Sequence, residues 1–234
     1  MQVYGLPAPT IPVGSFDGVA LGVQHLCAIE HGGSVLCTGN NSYGQLDAPS
    51  GAFSSLAAGG DLTCGIKTDG SLACWGANYA PLPPPPSGNF QSVAVSKNGV
   101  GLHACAIALD GQLTCWGDYP DGAAIAAIGP VRSVDAGGQR TCAVKADGSL
   151  TCFSTNPLAG VYQSVAVSGT DNFGGCALKS DQTAVCWGVA ADGLPSGVKF
   201  ERIAAAGDYD SLMTCGITAL GRVQCWGLIS RSAQ

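Results

Sequence analysis

The chain has 234 residues, of which 35 are glycine and only 11% are charged. Soluble domains average about 7% glycine and about 25% charged residues, so the composition argues against a helical bundle, while a hydrophobic content of 46% argues against disorder. The net charge of −6 without any basic run excludes nucleic acid and an anionic membrane surface as expected partners.

Twelve cysteines form six pairs, and the two members of each pair are ten residues apart. Such regularity indicates an internal repeat of about 37 residues. Each repeat opens with an aromatic residue or Val that begins a first strand; in chain order these residues are Phe16, Phe53, Phe90, Val131, Tyr162 and Phe200. The pairs are Cys27 with Cys37, Cys64 with Cys74, Cys105 with Cys115, Cys142 with Cys152, Cys176 with Cys186, and Cys215 with Cys225.

The residues between paired cysteines predict a β-hairpin. In the second repeat the turn reads Lys67-Thr68-Asp69-Gly70-Ser71, which is typical of a three-residue loop whose last position needs a positive φ. Centring the turn on Asp69 places Cys64 opposite Cys74 as a non-hydrogen-bonded pair, close enough for a disulfide. The fifth repeat has Gln182 where the others have Gly, so we expect backbone strain there.

The paired thiols are expected to be disulfides, because such frameworks are typical of exported proteins; reduced cytosolic thiols are the alternative. Zinc is disfavoured because there is no Cys-x-x-Cys and only three His residues are present. The first residues lack a charged stretch followed by an apolar one. We therefore expect a secreted, periplasmic or cell-surface protein whose signal peptide is not part of this sequence. No apolar run is long enough for a transmembrane helix.

One repeat cannot bury both faces of its hairpin, so six repeats must stack as a solenoid or a propeller. Residues 1–15 favour the propeller, since Tyr4-Gly5-Leu6-Pro7 before Phe16 resembles Tyr43-Gly44-Gln45-Leu46 before Phe53. This segment is expected to complete the last blade and close the ring. The prediction is a single all-β domain over 1–234, a six-bladed β-propeller whose return segments hold at most a short fourth strand.

Two strings resemble the repeat of the regulator-of-chromosome-condensation propeller superfamily: Thr141 to Leu150 (TCAVKADGSL) and Cys115-Trp116-Gly117. The short, cysteine-paired unit is most similar to secreted bacterial members and to propeller-type β-lactamase inhibitor proteins. The resemblance covers all six repeats, with departures at Thr38 and at Phe153-Ser154. It implies a propeller that binds through loops at one face, but no single activity, since members include a nucleotide exchange factor and enzyme inhibitors.

Candidate catalytic or stacking residues are better explained by structure. His25 and His103 each lie two residues before a cysteine and are interpreted as hydrogen-bonding anchors. No nucleophile–base or paired-carboxylate pattern is recognisable, so we expect a protein that is not an enzyme and needs no cofactor. The tryptophans occupy one repeat position, directly after the second cysteine, which favours packing between blades over sugar stacking; they are Trp75, Trp116, Trp187 and Trp226.

The segment between the first strand and the cysteine hairpin varies in length and sequence from repeat to repeat. Variable loops on a rigid scaffold are where binding usually resides, although tolerance of insertions is an equal alternative. Tyr209 and Phe173 are the expected anchors, because aromatic residues concentrate interface energy. The predicted contact surface comprises Asp61, Lys97, Asn98, Arg140, Asp171, Asn172, Phe173, Asp208, Tyr209 and Asp210.

The function predicted from these features is a secreted, non-catalytic binding module that recognises an extracellular protein, with an inhibitor-like role as one form of it. A carbohydrate-binding lectin is the alternative, disfavoured because the candidate loops do not repeat. An enzyme that uses the central channel ranks third. The two carboxylates of Asp208 and Asp210 are too few to predict a calcium site, which needs six to eight oxygen ligands.

Overall fold

The computed structural model describes residues 14–77, 83–97, 102–118, 128–138, 140–153, 158–169, 174–207 and 212–227. Eighteen strands form six separate three-stranded antiparallel sheets, one for each repeat. We call the sheets blades 1 to 6 in chain order. Their strands are β1 (Phe16–Leu21), β2 (His25–Glu30), β3 (Val35–Gly39); β4 (Phe53–Gly59), β5 (Leu62–Lys67), β6 (Leu72–Gly76); β7 (Phe90–Val95), β8 (His103–Ala108), β9 (Leu113–Gly117); β10 (Val131–Gly137), β11 (Arg140–Lys145), β12 (Leu150–Cys152); β13 (Tyr162–Val167), β14 (Gly175–Lys179), β15 (Ala184–Trp187); β16 (Phe200–Gly207), β17 (Leu212–Thr218), β18 (Val223–Trp226).

The six-bladed, all-β fold predicted from the repeats is therefore confirmed. A short 3₁₀ helix, Gly188–Ala191, lies between blades 5 and 6, and the described parts of the other return segments contain no fourth strand. Within the described ranges there is no helix long and apolar enough to cross a membrane. Residues 1–13 lie outside these ranges, so closure of the ring by the N-terminal segment stays a prediction, as does the single domain over 1–234.

The cysteine hairpins have the predicted register. Cys64 pairs with Cys74 across β5 and β6, and the N–H of Lys67 donates to the carbonyl of Ser71 at 2.8 Å. All six predicted pairs are disulfide-bonded within their own blade, with Cα–Cα distances of 4.0–4.1 Å, which agrees with non-hydrogen-bonded positions of the ladder. Each blade is thus stapled independently of its neighbours. In chain order, the disulfides join Cys27 to Cys37, Cys64 to Cys74, Cys105 to Cys115, Cys142 to Cys152, Cys176 to Cys186, and Cys215 to Cys225.

In most blades the two cysteines of the disulfide differ in burial, whereas in blade 4 both are buried. In the first blade Cys27 is fully buried, whereas Cys37 is only partly buried. The fifth blade has the same asymmetry between Cys176 and Cys186. Because the second strand is the middle one of each sheet, its cysteine is covered by strands on both sides, while the third strand lies at the edge.

The strain predicted in the fifth turn is present. Gln182 has φ of 69°, in the left-handed region, because it takes the turn position that Gly70 and Gly148 occupy with φ of 87°. A side chain at this φ is unfavourable for any residue other than Gly, Asn or Asp. The turn is retained because the Gln182 carbonyl accepts the Phe200 N–H at 2.8 Å.

Neighbouring blades pack face to face through apolar side chains. We call the face of a blade that is turned towards the next blade its forward face, and the opposite one its back face. The forward residues Cys64 and Ile66 of blade 2 form one cluster with Phe90, Ala104 and Trp116 on the back face of blade 3. The recurrence of this contact in five successive blade pairs explains why the positions of Cys64, Ile66 and Phe90 are apolar in every repeat.

Tryptophan packs between blades, as predicted. Trp75 lies with Cys27, Ile29 and Phe53 in the cluster between blades 1 and 2, and its ring meets that of Phe53 edge-on with centroids 5.7 Å apart. Its indole N–H donates to the carbonyl of Gln45, in the return segment between the two blades, at 3.0 Å. The return segment therefore packs between the two blades that it connects, and its carbonyl accepts the hydrogen bond of the buried indole.

Buried histidines join two pairs of neighbouring blades. The Nε2 atom of His25 in blade 1 shares a 2.7 Å hydrogen bond with Thr63 Oγ1 in blade 2, and His103 in blade 3 is bonded to Thr141 in blade 4 at 2.9 Å. The interpretation of both histidines as anchors is confirmed, and each anchor connects two blades. In blade 6 the equivalent hydroxyl, Thr214 Oγ1, is buried and has no hydrogen-bond partner among the described residues.

The sequence explains the orphaned hydroxyl. Gly174 stands in blade 5 at the position of the two histidines, two residues before the first cysteine, and it has no side chain to offer. We expect Thr214→Val to raise the free energy of unfolding by up to about 1 kcal/mol, since it removes a buried unsatisfied group. Thr63→Val should lower it by about 1–3 kcal/mol, because it leaves His25 without its partner. Urea denaturation of the two matched variants checks this, and a similar loss in both would contradict it.

Candidate binding face

The loops that join the first and second strands of the blades lie at one end of the sheets, which we call the loop face. The hairpin turns between the second and third strands lie at the other end, the turn face. On the loop face the N–H of Val23 in blade 1 donates to the carbonyl of Gly60 in blade 2 at 2.9 Å. A Cβ atom at Gly59 or Gly137 would lie about 2 Å from the carbonyl of Ser96 or Ser168 in the next blade. These loops are therefore packed against one another.

Lys97 lies at the loop face of blade 3, but its ammonium group reaches over to blades 4 and 5. Its Nζ donates to Asp135 Oδ2 on β10 at 2.5 Å and to the carbonyl of Val167, at the end of β13, at 2.7 Å. The Val167 N–H donates to the same carboxylate oxygen at 2.8 Å. Both charged side chains are about one-fifth exposed. Three blades are thus joined at one ion pair that includes Lys97, a residue of the predicted contact surface.

Sequence reasoning missed Asp135, although a signal for it is present. Asp135 is the residue that pairs with the first cysteine of its blade, Cys142. The five other blades have an alanine at this position: Ala20, Ala57, Ala94, Ala166 and Ala204. A single carboxylate in a column of alanines indicates a specific partner, because a buried charge requires one.

Asp61 and Arg140 also lie at the loop face, at the start of the second strands of blades 2 and 4. Asp61 Oδ1 accepts a hydrogen bond of 3.0 Å from the side-chain amide of Gln45, which is fully buried. The Oε1 atom of Gln45 in turn accepts a hydrogen bond of 2.8 Å from the backbone N–H of Tyr43. Arg140 begins β11 opposite Gly137 and is partly exposed. The structure thus places Asp61, Lys97 and Arg140 on three successive blades of one face.

The other predicted contact residues cannot be placed in this way. They lie outside the described residues, in the loops of blades 3, 5 and 6, so their part in a contact surface stays a prediction. These residues are Asn98, Asp171, Asn172, Phe173, Asp208, Tyr209 and Asp210.

The turn face is built differently, from one motif that repeats. In three turns an aspartate accepts hydrogen bonds from both the N–H and the hydroxyl of the residue two positions on; for Asp69 and Ser71 the distances are 2.9 and 2.6 Å. The hydrogen bond from the Ser71 hydroxyl is the main reason that the pKa of Asp69 is lowered. The corresponding hydroxyl two residues on lowers the pKa of Asp147 and Asp181 in the same way. These carboxylates are occupied within their own turns.

His25 is a buried titratable group at the loop-face end of blade 1. Its Nδ1 atom has no partner among the described residues, and a Cβ atom at Gly22 would lie 2.3 Å from it. Burial lowers the pKa of His25, and the nearby Asp61 charge opposes this only in part. At neutral pH the imidazole is therefore uncharged in the folded protein, and its protonation at lower pH opposes folding.

This predicts a pH dependence of stability. Because the pKa of His25 is lower in the folded than in the unfolded chain, its contribution is complete above about pH 6.5 and is lost as the pH falls through the folded value. We expect the melting temperature to fall between pH 7.5 and 5.5, and to fall less in His25→Gln, whose amide can replace Nε2. The turn aspartates titrate below pH 4 and do not overlap this range. Equal slopes for the two proteins would contradict the prediction.

The described residues contain no group of three or more His, Cys, Asp or Glu side chains that could hold a metal ion. The chemistry of the loop face is instead that of a polar surface with charges of both signs, fixed by hydrogen bonds to buried groups. Such a surface suits recognition of a partner by complementary charge and shape.

Comparison with known proteins agrees with this architecture. Residues 16–45, the first repeat, match the Regulator of chromosome condensation (RCC1) repeat. No curated protein matches the chain in sequence. The fold is shared with solved propellers of low identity, so that likeness concerns the fold alone.

Three solved structures illustrate the likeness. The CRINKLY WD40 ectodomain of the Arabidopsis thaliana receptor kinase ACR4 has a TM-score of 0.73 and 23% identity, over 93% of this chain and 82% of that one. The ectodomain of the Physcomitrella patens receptor kinase CR4 has a TM-score of 0.72 and 23% identity, over 94% of this chain and 66% of that one. Prp20p of Saccharomyces cerevisiae has a TM-score of 0.67 and 15% identity, over 89% of this chain and 71% of that one. The first repeat is thus similar to the RCC1 repeat, and the fold of the chain is that of a β-propeller.

Proposed function

We propose that this propeller is a non-catalytic module that acts outside the cytoplasm and binds a protein partner through its loop face. The observation that carries the proposal is the contrast between the two faces. On the turn face, Asp69, Asp147 and Asp181 are held in the same internally bonded turn. On the loop face, successive blades present different charged groups. A surface that differs from blade to blade suits one specific partner better than a repeated small ligand.

The Lys97–Asp135 ion pair supports this role physically. It anchors Lys97, near the start of the variable blade 3 loop, to blades 4 and 5, and both charged side chains are about four-fifths buried. A loop that is already held in place loses less conformational entropy when a partner binds. We infer that the ion pair preorganises the base of this loop for binding.

The relatives support the proposal at the level of the fold. Prp20p is described by its binding to Gsp1p and histones, and two other relatives are ectodomains of receptor kinases. Propellers of this type therefore carry protein-binding surfaces and also occur outside cells. The six disulfides of the present chain favour an oxidising compartment.

The expected contact surface combines the described Asp61, Lys97 and Arg140 with the other predicted loop residues of blades 3, 5 and 6. Tyr209 and Phe173 are proposed as anchors, because buried aromatic residues contribute most to interface energy. Asp208 and Asp210 give the blade 6 loop an acidic bias, which favours a basic patch on the partner. Association should then weaken as the salt concentration rises.

Affinity capture from the native secretome tests the proposal with two matched variants of blade 6. Tyr209→Ala with Asp210→Ala changes the loop face, while Leu220→Ala changes the turn face at a side chain that is 82% exposed. A captured partner should bind the loop-face variant at least about tenfold more weakly, the loss expected of one anchor residue, and should bind the turn-face variant as well as the unchanged protein. Equal binding of both variants would reject the mapping, and glycan binding at several equivalent sites would favour a lectin.

A further inference from the structure

The third strand of blade 1 has an outer row of backbone groups that faces away from its own sheet. In the described sheets, β3 lies at an edge and pairs with β2 alone. Cys27 and Cys37 face each other as a non-hydrogen-bonded pair, so the N–H and C=O of Cys37 point away from β2. Because this orientation alternates along a strand, Val35 and Gly39 present their N–H and C=O groups to the same outer edge.

Hydrogen bonds at both ends of the hairpin agree with this alternation. The Glu30 N–H donates to the Ser34 carbonyl at 2.8 Å, and the Asn40 N–H donates to the Gln24 carbonyl at 2.8 Å. Both bonded pairs lie three positions from the cysteine pair, where an antiparallel ladder requires a hydrogen-bonded pair. The outward direction of the backbone groups of β3 therefore follows from the register.

The return segment that follows β3 does not fill this edge. Residues 40–52 are all described, and they contain no strand. The segment instead packs between blades 1 and 2, where the Gln45 carbonyl accepts the indole N–H of Trp75 and Ala48 joins the apolar cluster. Within the described part of the chain, no group bonds to the outward N–H or C=O of the three edge residues of β3. The position of a fourth strand is open there.

The edge of blade 1 is regular, rigid and unprotected. The sequence of β3, Val-Leu-Cys-Thr-Gly, contains no Lys or Pro, and its register has no bulge, although these devices usually protect an edge strand. The side chains of Val35 and Cys37 pack against the cluster between blades 1 and 2, so the strand is held in place. In blade 4, by contrast, the edge residues Leu150 and Cys152 are only 5% and 8% exposed.

Carboxylates lie at both ends of this edge. Glu30 accepts the hydroxyl of Ser34, the residue before β3, at 2.6 Å. Asp47 accepts the side-chain amide of Asn41, two residues after β3, at 3.0 Å. Both acidic side chains are at least partly exposed, and the chain has no Lys or Arg before Lys67. The surface is therefore complementary to a segment with positive charges, and it would repel the same edge of a second copy.

We propose that β3 accepts an extended basic segment of a partner protein as the fourth strand of blade 1. The outward groups of three residues bond to the backbone of the segment, as in other cases of strand addition. Leu36, which is 39% exposed, packs against one of its side chains, and Glu30 and Asp47 bind its Lys or Arg residues. This surface lies on the outer edge of the blade, and the proposal does not depend on the partner of the loop face.

Selection of peptides from a random displayed library tests the charge and the strand geometry. Leu36→Lys and Leu36→Glu are matched variants that add opposite charges at the edge. We expect peptides rich in Lys, Arg and β-branched residues that bind Leu36→Lys about fivefold more weakly, and Leu36→Glu at least as tightly, as they bind the unchanged protein. Two adjacent prolines in the middle of a selected peptide should abolish binding, since they remove donors from both of its edges. If every selected peptide ignores these changes, the proposal is wrong.

Hydrogen exchange measured by NMR locates the contact. In the free protein, the amides of Val35, Cys37 and Gly39 should exchange rapidly, and those of the residues between them slowly, because these donate to β2. A selected peptide should slow the three outward amides at least about tenfold and leave Cys152, on the covered edge of blade 4, unchanged. Protection of the three amides in the free protein would overturn the proposal. Protection that is independent of concentration would assign the edge to the chain itself, and protection that rises with concentration to a second copy. A lack of protection when a peptide binds would also overturn it.

Discussion

The double variant Cys105→Ala/Cys115→Ala is expected to lower the free energy of unfolding by about 3–4 kcal/mol. The disulfide closes a loop of eleven residues, and removing such a constraint from the unfolded chain costs about 2.5–3 kcal/mol in the chain-entropy account. Cys105 is also fully buried, in the cluster between blades 3 and 4. Replacing its sulfur by hydrogen leaves a small cavity there, which adds to the loss.

The disulfide of blade 6 is the matched comparison. Cys215→Ala/Cys225→Ala opens a loop of the same length, but Cys215, the equivalent of Cys105, is only half-buried and Cys225 is exposed, so the loss should be mostly entropic and smaller. Urea denaturation of both double variants measures the difference, and neither variant leaves an unpaired thiol. A loss below about 1 kcal/mol in both would show that the hairpins are formed in the unfolded chain, because a disulfide then constrains little.

Each disulfide contributes an amount comparable to a large share of the stability of an ordinary domain, about 5–15 kcal/mol. The composition makes this support necessary. Strands of five or six residues with many small side chains, such as Ala104-Cys105-Ala106, bury little apolar area each. Local covalent constraint in every blade therefore stabilises a scaffold whose cores between blades are thin.

The features that can be predicted from the sequence are those that repeat. The spacing of Cys64 and Cys74 together with the Asp69-Gly70 turn specifies the hairpin register, because a three-residue loop allows one pairing. The strain at Gln182 can be predicted for the same reason, since five other turns show what the position needs. Repetition serves as an internal comparison, which a single domain without repeats does not offer.

Contacts between side chains of different blades were not predictable in the same way. The reach of Lys97 across blade 4 to Asp135 and Val167 requires the spatial order of three blades, which sequence distance does not convey. The pairing of His25 with Thr63 likewise joins residues 38 positions apart. Asp135 interrupts a column of alanines and could have been noted, but its partner could not have been named from the sequence.

The ion pair between Lys97 and Asp135 should show strong coupling in a double-mutant cycle. Asp135→Ala is expected to cost about 3 kcal/mol, since it removes the acceptor of both the Lys97 ammonium and the Val167 N–H. Lys97→Met should cost about 2 kcal/mol, because Asp135 keeps its two backbone donors. The double variant restores the alanine that five other blades have at this position, so it should cost less than the sum by about 1–2 kcal/mol.

Urea denaturation at low and high salt measures this cycle. The coupling should persist at about 1 M salt, since a pair that is four-fifths buried is screened far less than a surface pair. Lys199→Met, at a lysine between blades 5 and 6, is the control and should change stability by less than about 0.5 kcal/mol. Additive losses would mean that the two groups act independently. The ion pair would then not anchor the blade 3 loop, and the preorganisation inferred for the loop face would lose its physical basis.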